Sequence, residues 1–401
     1  MNIIIIANFP WRLDGGETKG RFLYLSEMLC ERGHNVEMIV SDFEHGSKKH
    51  RKEDSIKYEA YKTKITALHE PGYPNNISIK RLYSHYLWGC NVGKYLKKIQ
   101  KPDMVYCALP SLTAGVRAAR YCRTMGIPFV VDVQDLWPEA FQMAIKNTVL
   151  QKVFLLIKWY VDNVYKAADE VIAVSDTYVK RVLSVNHKVK NGLCVFLGND
   201  GKLFDESKNN EDCKKGGDIK LAYIGTLSYS YDIPCVINAL KIYNQKGVNP
   251  SIKFIVMGDG VLRKVFEAEA CAAGVDCEFT GNLAYPKMVR RLCGCDIVVN
   301  PIVVGSAASI INKVGDYALS GLPVINTQES TEYRKLIEDY YCGINCNVGD
   351  PNDVAKMLEV LAKDETLRLK MGANARKLGK EKFDRRNTYK QIIELIESLK
   401  C

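Results

Sequence analysis

Apolar runs of strand length recur along this chain with helix-length amphipathic segments between them, and that alternation limits its fold more than any other feature. Residues 1–7, 35–41, 104–108, 129–133, 171–174 and 193–197 are the first series, each dominated by Ile, Val, Leu, Met or Phe. A strand that is apolar on both faces must be covered on both, and the intervening helices supply the cover, so the pattern predicts a parallel, doubly wound α/β sheet. Residues 198–217 break the rhythm with a polar, Gly-rich stretch that reads as an interdomain linker. A second series follows at 219–224, 252–257, 277–280, 297–300, 323–326 and 343–348, and helices over 353–363, 365–383 and 387–399 close the chain. The expected fold class is α/β, two Rossmann-like doubly wound domains in tandem, with ligand in a cleft outside the carboxyl ends of the strands. The expected boundaries are 1–198, 199–384, and a C-terminal helix over 385–401 that packs back on the first domain.

Length and composition agree with two cores, since 401 residues with 47% hydrophobic side chains exceed one ordinary domain. No apolar run approaches the ~20 residues that cross a bilayer, and residues 1–7 lack a basic leader, so a cytoplasmic location is expected. Fourteen cysteines are scattered, none in a Cys-x-x-Cys pair, and Cys293 with Cys295 is spaced wrongly for a zinc knuckle. They read as reduced core thiols. The net charge of +10 is uneven: residues 1–198 hold 28 Lys and Arg against 19 Asp and Glu, a net +9. An anionic partner or simple solubility would account for that excess, and nucleic acid is favoured by nothing beyond basicity.

The candidate ligand site lies in residues 309–326, Ser-Ile-Ile-Asn-Lys-Val-Gly-Asp-Tyr-Ala-Leu-Ser-Gly-Leu-Pro-Val-Ile-Asn. A polar loop enters a helix carrying Lys313, Asp316 and Tyr317, then a Gly-Leu-Pro turn leads into an apolar strand. Unpaired N–H groups, a partial positive charge and an ammonium group at one helix start suit a phosphate, and an acid one turn later can accept from sugar hydroxyls. Earlier in the same half, Gly225-Thr226-Leu227-Ser228 follows a strand, where glycine permits close approach to a ligand or simply a tight turn. Gly258-Asp259-Gly260, with Arg263 and Lys264 beyond, suits a phosphate or an Asp259 cap. Thr280-Gly281-Asn282-Leu283 ends a third strand in a loop able to meet a base edge.

With those pieces in that order, the chain resembles the family 4 glycosyltransferases, retaining enzymes of GT-B fold that move a sugar from a nucleotide diphosphate. It is most similar to a bacterial surface-polysaccharide branch related to L-fucosamine transferases, whose helix reads Ser-Lys-x-x-Glu-Tyr and whose first domain repeats the Asp-Leu-Trp-Pro-Glu string, here residues 135–139. The resemblance implies that Asp316 holds the ribose hydroxyls in place of the second acid of a Glu-x7-Glu pair. The first acid falls at Ala308 and is absent. Ser309, Ile310 and Ile311 would offer backbone N–H groups to the diphosphate beside Lys313. The family's Gly-Arg-Leu-x-x-x-Lys pattern places Thr226 and Tyr231 at its cationic positions, so Lys313 is the first candidate for meeting the diphosphate charge and Arg263 the second.

In the first domain, Gly15 and Gly16, with Lys19 and Arg21, match the glycine pair that lines the acceptor side of the cleft. Gln134 and Asp135 stand where relatives have a His touching the transferred sugar; a capping Asp is the alternative. The site expected from the sequence is therefore Lys313 and Asp135 for catalysis, Gly225, Thr226, Gly258, Gly260, Arg263, Asn282, Leu283, Ser309, Ile310, Ile311 and Asp316 for the donor, and Gly15, Gly16 and Lys19 for the acceptor. No Asp-x-Asp is present to hold a divalent ion, and no metal or other cofactor is expected. The resemblance implies retention, with the leaving phosphate accepting the acceptor's proton. The expected partners are a nucleotide sugar, a polyprenyl-diphosphate-linked acceptor, and an anionic membrane met by the basic, aromatic stretch 77–101 on the inner membrane face, with no nucleic acid. A nucleotide-sugar epimerase and a catalytically silent nucleotide-sugar binder remain as alternatives.

Overall fold

The computed structural model describes residues 1–52, 56–75, 78–137, 139, 148–208, 217–247, 249–305 and 310–399, excepting the side chains of 148–154. The chain forms two compact units, residues 1–196 with 389–401, and residues 197–388. The divisions fall two residues before and four residues after those expected from the sequence.

The first unit is built on nine strands: β1 (Asn2–Ala7), β2 (Asn35–Ser41), β3 (Phe43–Glu44), β4 (Lys49–His50), β5 (Lys64–Leu68), β6 (Met104–Leu109), β7 (Phe129–Val133), β8 (Glu170–Ala173) and β9 (Leu193–Cys194). Seven of them form one parallel sheet in the order β5-β2-β1-β6-β7-β8-β9. Helices α1 (Arg21–Glu31), α2 (Ile79–Leu96), α3 (Leu112–Met125), α4 (Thr148–Ala167) and α5 (Asp176–Leu183) cover it. Ile3, Ile5, Met38, Val40 and Tyr106 pack into one core, and Ile4, Ile6, Ile39, Val105, Cys107 and Val131 into another. Alternate residues of the same strands thus feed opposite faces, as a sheet buried on both sides requires.

The second unit begins one residue ahead of the stretch read as a linker. Asp200 accepts the N–H groups of Lys202 and Leu203 and caps α6 (Gly201–Ser207), whose Phe204 is fully buried with Val289 and Leu319. That half of the stretch is therefore folded, and residues 209–216 lie outside the described residues. The sheet consists of β10 (Ile219–Ile224), β11 (Ile252–Met257), β12 (Cys277–Gly281), β13 (Ile297–Asn300), β14 (Val324–Asn326) and β15 (Gly343–Asn345), in the order β12-β11-β10-β13-β14-β15. Its helices are α7 (Ile233–Gln245), α8 (Arg263–Ala272), α9 (Tyr285–Cys293), α10 (Lys313–Ser320), α11 (Thr331–Tyr340), α12 (Pro351–Lys363), α13 (Glu365–Leu378) and α14 (Arg385–Thr388). The final helix, α15 (Lys390–Ser398), returns to the first unit, where Tyr389, Ile392, Ile393 and Ile396 are buried with Leu25 and Leu29.

Candidate functional site

In the second unit, the loops beyond the carboxyl ends of β10 and β11 are locked together by backbone. Gly225 N–H donates to the Met257 carbonyl (2.9 Å), Leu227 N–H to that of Asp259 (2.9 Å), and Leu262 N–H to that of Leu227 (3.1 Å). A Cβ on Gly258 would overlap the Gly225 carbonyl oxygen, and one on Gly260 the Leu227 carbonyl oxygen. Packing of one loop on the other therefore accounts for both glycines, where the sequence left a phosphate approach open. Thr226 is exposed, and its carbonyl accepts the Tyr223 hydroxyl (2.8 Å).

Gly225 is different, because its open side faces a charge: a Cβ there would stand 2.7 Å from Lys313 Nζ. Lys313 is the first residue of α10, 8% exposed, and its ammonium lies 4.0 Å from the centroid of the Tyr223 ring and 3.7 Å from that of Tyr231. Among the described residues it finds neither a hydrogen-bond acceptor nor an acid. Burial consequently pushes its pKa well below the usual lysine value. Two ring faces stabilise a cation without neutralising it, which leaves the charge available to an anion.

One turn on, Asp316 is 7% exposed and turns toward α9 and the start of the unit. Its Oδ1 accepts the Asn199 amide (2.7 Å) and the Tyr285 hydroxyl (2.8 Å). Oδ2 has no hydrogen bond to a described residue. Burial raises the carboxyl pKa from 3.8 to about 6, against those two hydrogen bonds. Gly315 has no room for a side chain because Asn199 fills that space. Ile310 and Ile311 are half-buried just before α10, which has no side-chain cap, and Ser309 lies outside the described residues with Ala308.

Arg263, the second candidate for the diphosphate charge, is engaged within the unit. Its guanidinium pairs with Glu267 (2.7 Å) and Asp259 (3.3 Å) and donates to the Phe279 carbonyl (3.1 Å), so its fork is spent tying α8 to β12. Asn282 is exposed, and Leu283 lines a cavity of about 700 Å³ between β12 and α9 with Lys220, Thr280, Lys287 and Arg290. None of the other expected donor residues among the described ones lines that cavity.

In the first unit, Gly15 adopts φ +75° and donates to the Tyr61 hydroxyl (2.8 Å), while Gly16 donates to Asp14 (3.1 Å). Both are exposed, and Lys19 pairs with Glu27 at 3.4 Å. Arg21, matched from the sequence to the acceptor side, is instead a core group. It pairs with Asp132 (2.7 Å), donates to the carbonyls of Val195 and Phe196 (3.1 Å each), and stacks on Tyr389. Asp132 also holds the Gln134 amide (2.6 Å), next to exposed Asp135 beyond β7.

Sequence reasoning passed over Asn8, directly after β1, whose amide is 1% exposed with neither atom hydrogen-bonded to a described residue. It also passed over an aromatic cage in which Arg81 lies over Trp137 (4.7 Å), Tyr73 (5.5 Å) and Phe9 (5.9 Å). Burial, with Arg81 nearby, drives His85 in this cage down to about 3, so it is neutral. The available signal was Trp137, inside the Asp-Leu-Trp-Pro-Glu string.

Two Rossmann-like units in one chain are the architecture of the GT-B glycosyltransferases, and the comparison with solved structures agrees. Anabaena Alr3699/HepE in complex with UDP superposes with a TM-score of 0.69 at 16% identity, covering 99% of this chain and all of that one. Sucrose-phosphate synthase from Thermosynechococcus elongatus gives 0.70 at 16% identity, covering 100% of this chain and 99% of the other. The sequence matches Glycosyltransferase Family 4 over residues 21–192 and Glycosyl transferases group 1 over residues 204–378. The chain belongs to the glycosyltransferases of the family 4 type. A curated relative from Campylobacter jejuni, GalNAc-α-(1→4)-GalNAc-α-(1→3)-diNAcBac-PP-undecaprenol α-1,4-N-acetyl-D-galactosaminyltransferase, is 23% identical over 231 residues. The match spans 56% of this chain and 57% of that relative's length.

Proposed function

We propose that the protein transfers a sugar from a nucleoside diphosphate donor, a uridine one, to a lipid-linked oligosaccharide, with retention and with no metal on the diphosphate. The observation that carries this reading is Lys313, a buried ammonium at a helix start with ring faces around it and no anion. Negative charge develops on the departing diphosphate, and a desolvated, prepositioned cation stabilises that charge more than water would. Asp316 Oδ2 is left to accept ribose hydroxyls, its other oxygen being held by Asn199 and Tyr285. The leaving phosphate takes the acceptor's proton, so no separate base is assigned, and Asp135 is the first-unit residue assigned to contact donor or acceptor.

The UDP-bound Anabaena protein shares the fold, and the Campylobacter relative is named for an undecaprenyl-diphosphate acceptor. An acceptor of that kind presents itself at a membrane. No helix among the described residues is long and apolar enough to cross one. The surface of α2 suits peripheral contact instead: Ile79, Leu82, Tyr83 and Tyr86 form one exposed stripe, while Ser84, Trp88 and Val92 face inward. Lys80, Lys94, Lys97 and Lys98 are exposed on the same segment.

The test incubates purified protein with a panel of nucleotide sugars, with and without membrane extract, and measures nucleoside diphosphate release. Acceptor-dependent UDP release supports the reading; binding without release points to a silent binder, and an altered sugar on an intact nucleotide to an epimerase. Flotation with anionic vesicles at low and high salt tests the membrane contact, which fails if nothing floats at low salt.

A further inference from the structure

We propose that Asp42, His50 and His69 bind a borderline divalent transition ion, with zinc as the reference case, on the first unit. Asp42 follows β2, His50 ends β4 and His69 follows β5, so three chain segments bring one donor atom each to within 4.8 Å of the others. Proximity alone would be a weak argument. What strengthens it is that the peptide groups of one buried residue, Glu70, orient two of the three.

His50 Nε2 lies 2.8 Å from the Glu70 carbonyl oxygen. Only an N–H can bond a carbonyl, so Nε2 carries the proton and Nδ1 keeps its lone pair, the tautomer that a backbone carbonyl imposes on metal-binding histidines. The Glu70 N–H donates to Asp42 Oδ1 (2.8 Å), and Oδ2 accepts from His69 Nδ1 (2.9 Å), so an ion held between these two atoms displaces that proton. Glu70 is fixed in turn by the Ser41 and Ser84 hydroxyls (2.6 and 2.8 Å). The His50 and His69 rings lie 15° from parallel with centroids 5.5 Å apart. Tetrahedral bonds of ~2.0–2.1 Å put neighbouring donors roughly 3.3 Å apart, so closure needs small rotations of two exposed rings.

Two imidazoles and one carboxylate suit zinc, nickel or copper, whereas magnesium and calcium take oxygen sets. Lys49 and Arg51 stand close in sequence and oppose a cation, although Arg51 is paired with Glu44 at 3.5 Å. Those neighbouring charges weaken cation binding. Both histidines are exposed, which leaves the fourth position to water. A bound ion would tie the β3–β4 hairpin to the end of β5. The proposal is independent of the donor site, whose residues belong to the second unit.

Equilibrium dialysis of the full, EDTA-stripped, reduced chain against micromolar zinc, read by elemental analysis, tests it. The expected result is one more equivalent of zinc in the native protein and in a His187→Ala control than in the His50→Ala/His69→Ala variant. Cobalt should then give a visible d–d band without a thiolate charge-transfer band. Asp42→Asn, which keeps the shape of the side chain, should weaken zinc at least tenfold. Equal uptake by native protein and a double variant of unchanged circular dichroism overturns the proposal, as does a thiolate band, which would assign the ion to cysteines.

Discussion

Replacing Asp316 by Asn isolates the energetic consequence of burying that acid. The Asn carbonyl can still accept from Asn199 and Tyr285, so the substitution removes the ionisation and leaves the shape. The pKa is 3.8 for an ordinary aspartate and about 6 here. The folded state thus holds its proton more tightly than the unfolded one, and stability is lost as pH rises from about 4 through 6. At ~1.36 kcal/mol per pH unit, the ionised form costs about 3 kcal/mol above pH 7, and the Asn variant avoids that cost. For a unit of this size, 3 kcal/mol corresponds to roughly 6–12 °C in Tm. The variant should therefore match the native protein near pH 4 and exceed it at pH 8. All four tryptophans lie in the first unit, so fluorescence reports the wrong half, and the measurement is urea unfolding followed by hydrogen exchange in α10 peptides. A stability difference that does not change with pH refutes the electrostatic reasoning. UDP affinity should fall in the same variant; undiminished affinity would remove the ribose role and leave a destabilising acid without a purpose.

Lys313→Met should weaken UDP by ~1.5–3 kcal/mol, tenfold or more in Kd by calorimetry, while raising the Tm of the ligand-free protein because a buried amine without a hydrogen-bond partner among the described residues is gone. In the native protein, UDP binding should take up a proton and weaken as pH rises, since burial holds the free ammonium below its usual pKa and an anion restores it; calorimetry in buffers of different ionisation enthalpy reads the uptake. Gly258→Ala should destabilise the second unit by more than ~2 kcal/mol, by far-UV circular dichroism in urea, because its φ of +154° and the Gly225 carbonyl both exclude a side chain. Arg21→Met should cost the first unit ~3–5 kcal/mol by leaving Asp132 buried and unpaired, and Arg21→Met/Asp132→Leu should regain much of it, read by tryptophan fluorescence.

The strands read most directly from the sequence are the continuous Ile and Val runs, which need cover on both faces. The ones that were missed have different chemistry. β5, Lys64-Ile-Thr-Ala-Leu68, is an edge strand with one fully buried residue, and β3 and β4 are two residues each. Helix α6 escaped notice because seven residues with one large buried side chain carry no period. At the site, the order of loops beyond the strand ends was legible, but the use of each glycine or arginine was not. Gly258 and Gly260 answer to carbonyls about thirty residues away, and Arg21 to an acid at position 132, partnerships that no local pattern encodes.

The substitution of Tyr231 for the lysine of the family pattern can be understood only with the structure in view. Taken alone, it removes a cation from the loop after β10 and weakens the case for a diphosphate site. In the fold, that ring is the surface on which the Lys313 ammonium rests at 3.7 Å, with Tyr223 on another side at 4.0 Å. A carboxylate in the same place would hold the lysine more strongly and would also repel the phosphate proposed to bind there. Ring faces favour the protonated form through the quadrupole without placing an opposing charge beside it, while burial lowers its pKa in the empty site. On the proposed reading, the cation has in effect moved from a loop to a helix start, and the tyrosine is part of that arrangement. Tyr231→Lys would then crowd two ammonium groups together, and weaker UDP binding from an added positive charge is the outcome that distinguishes this account from one in which the position is merely vacant.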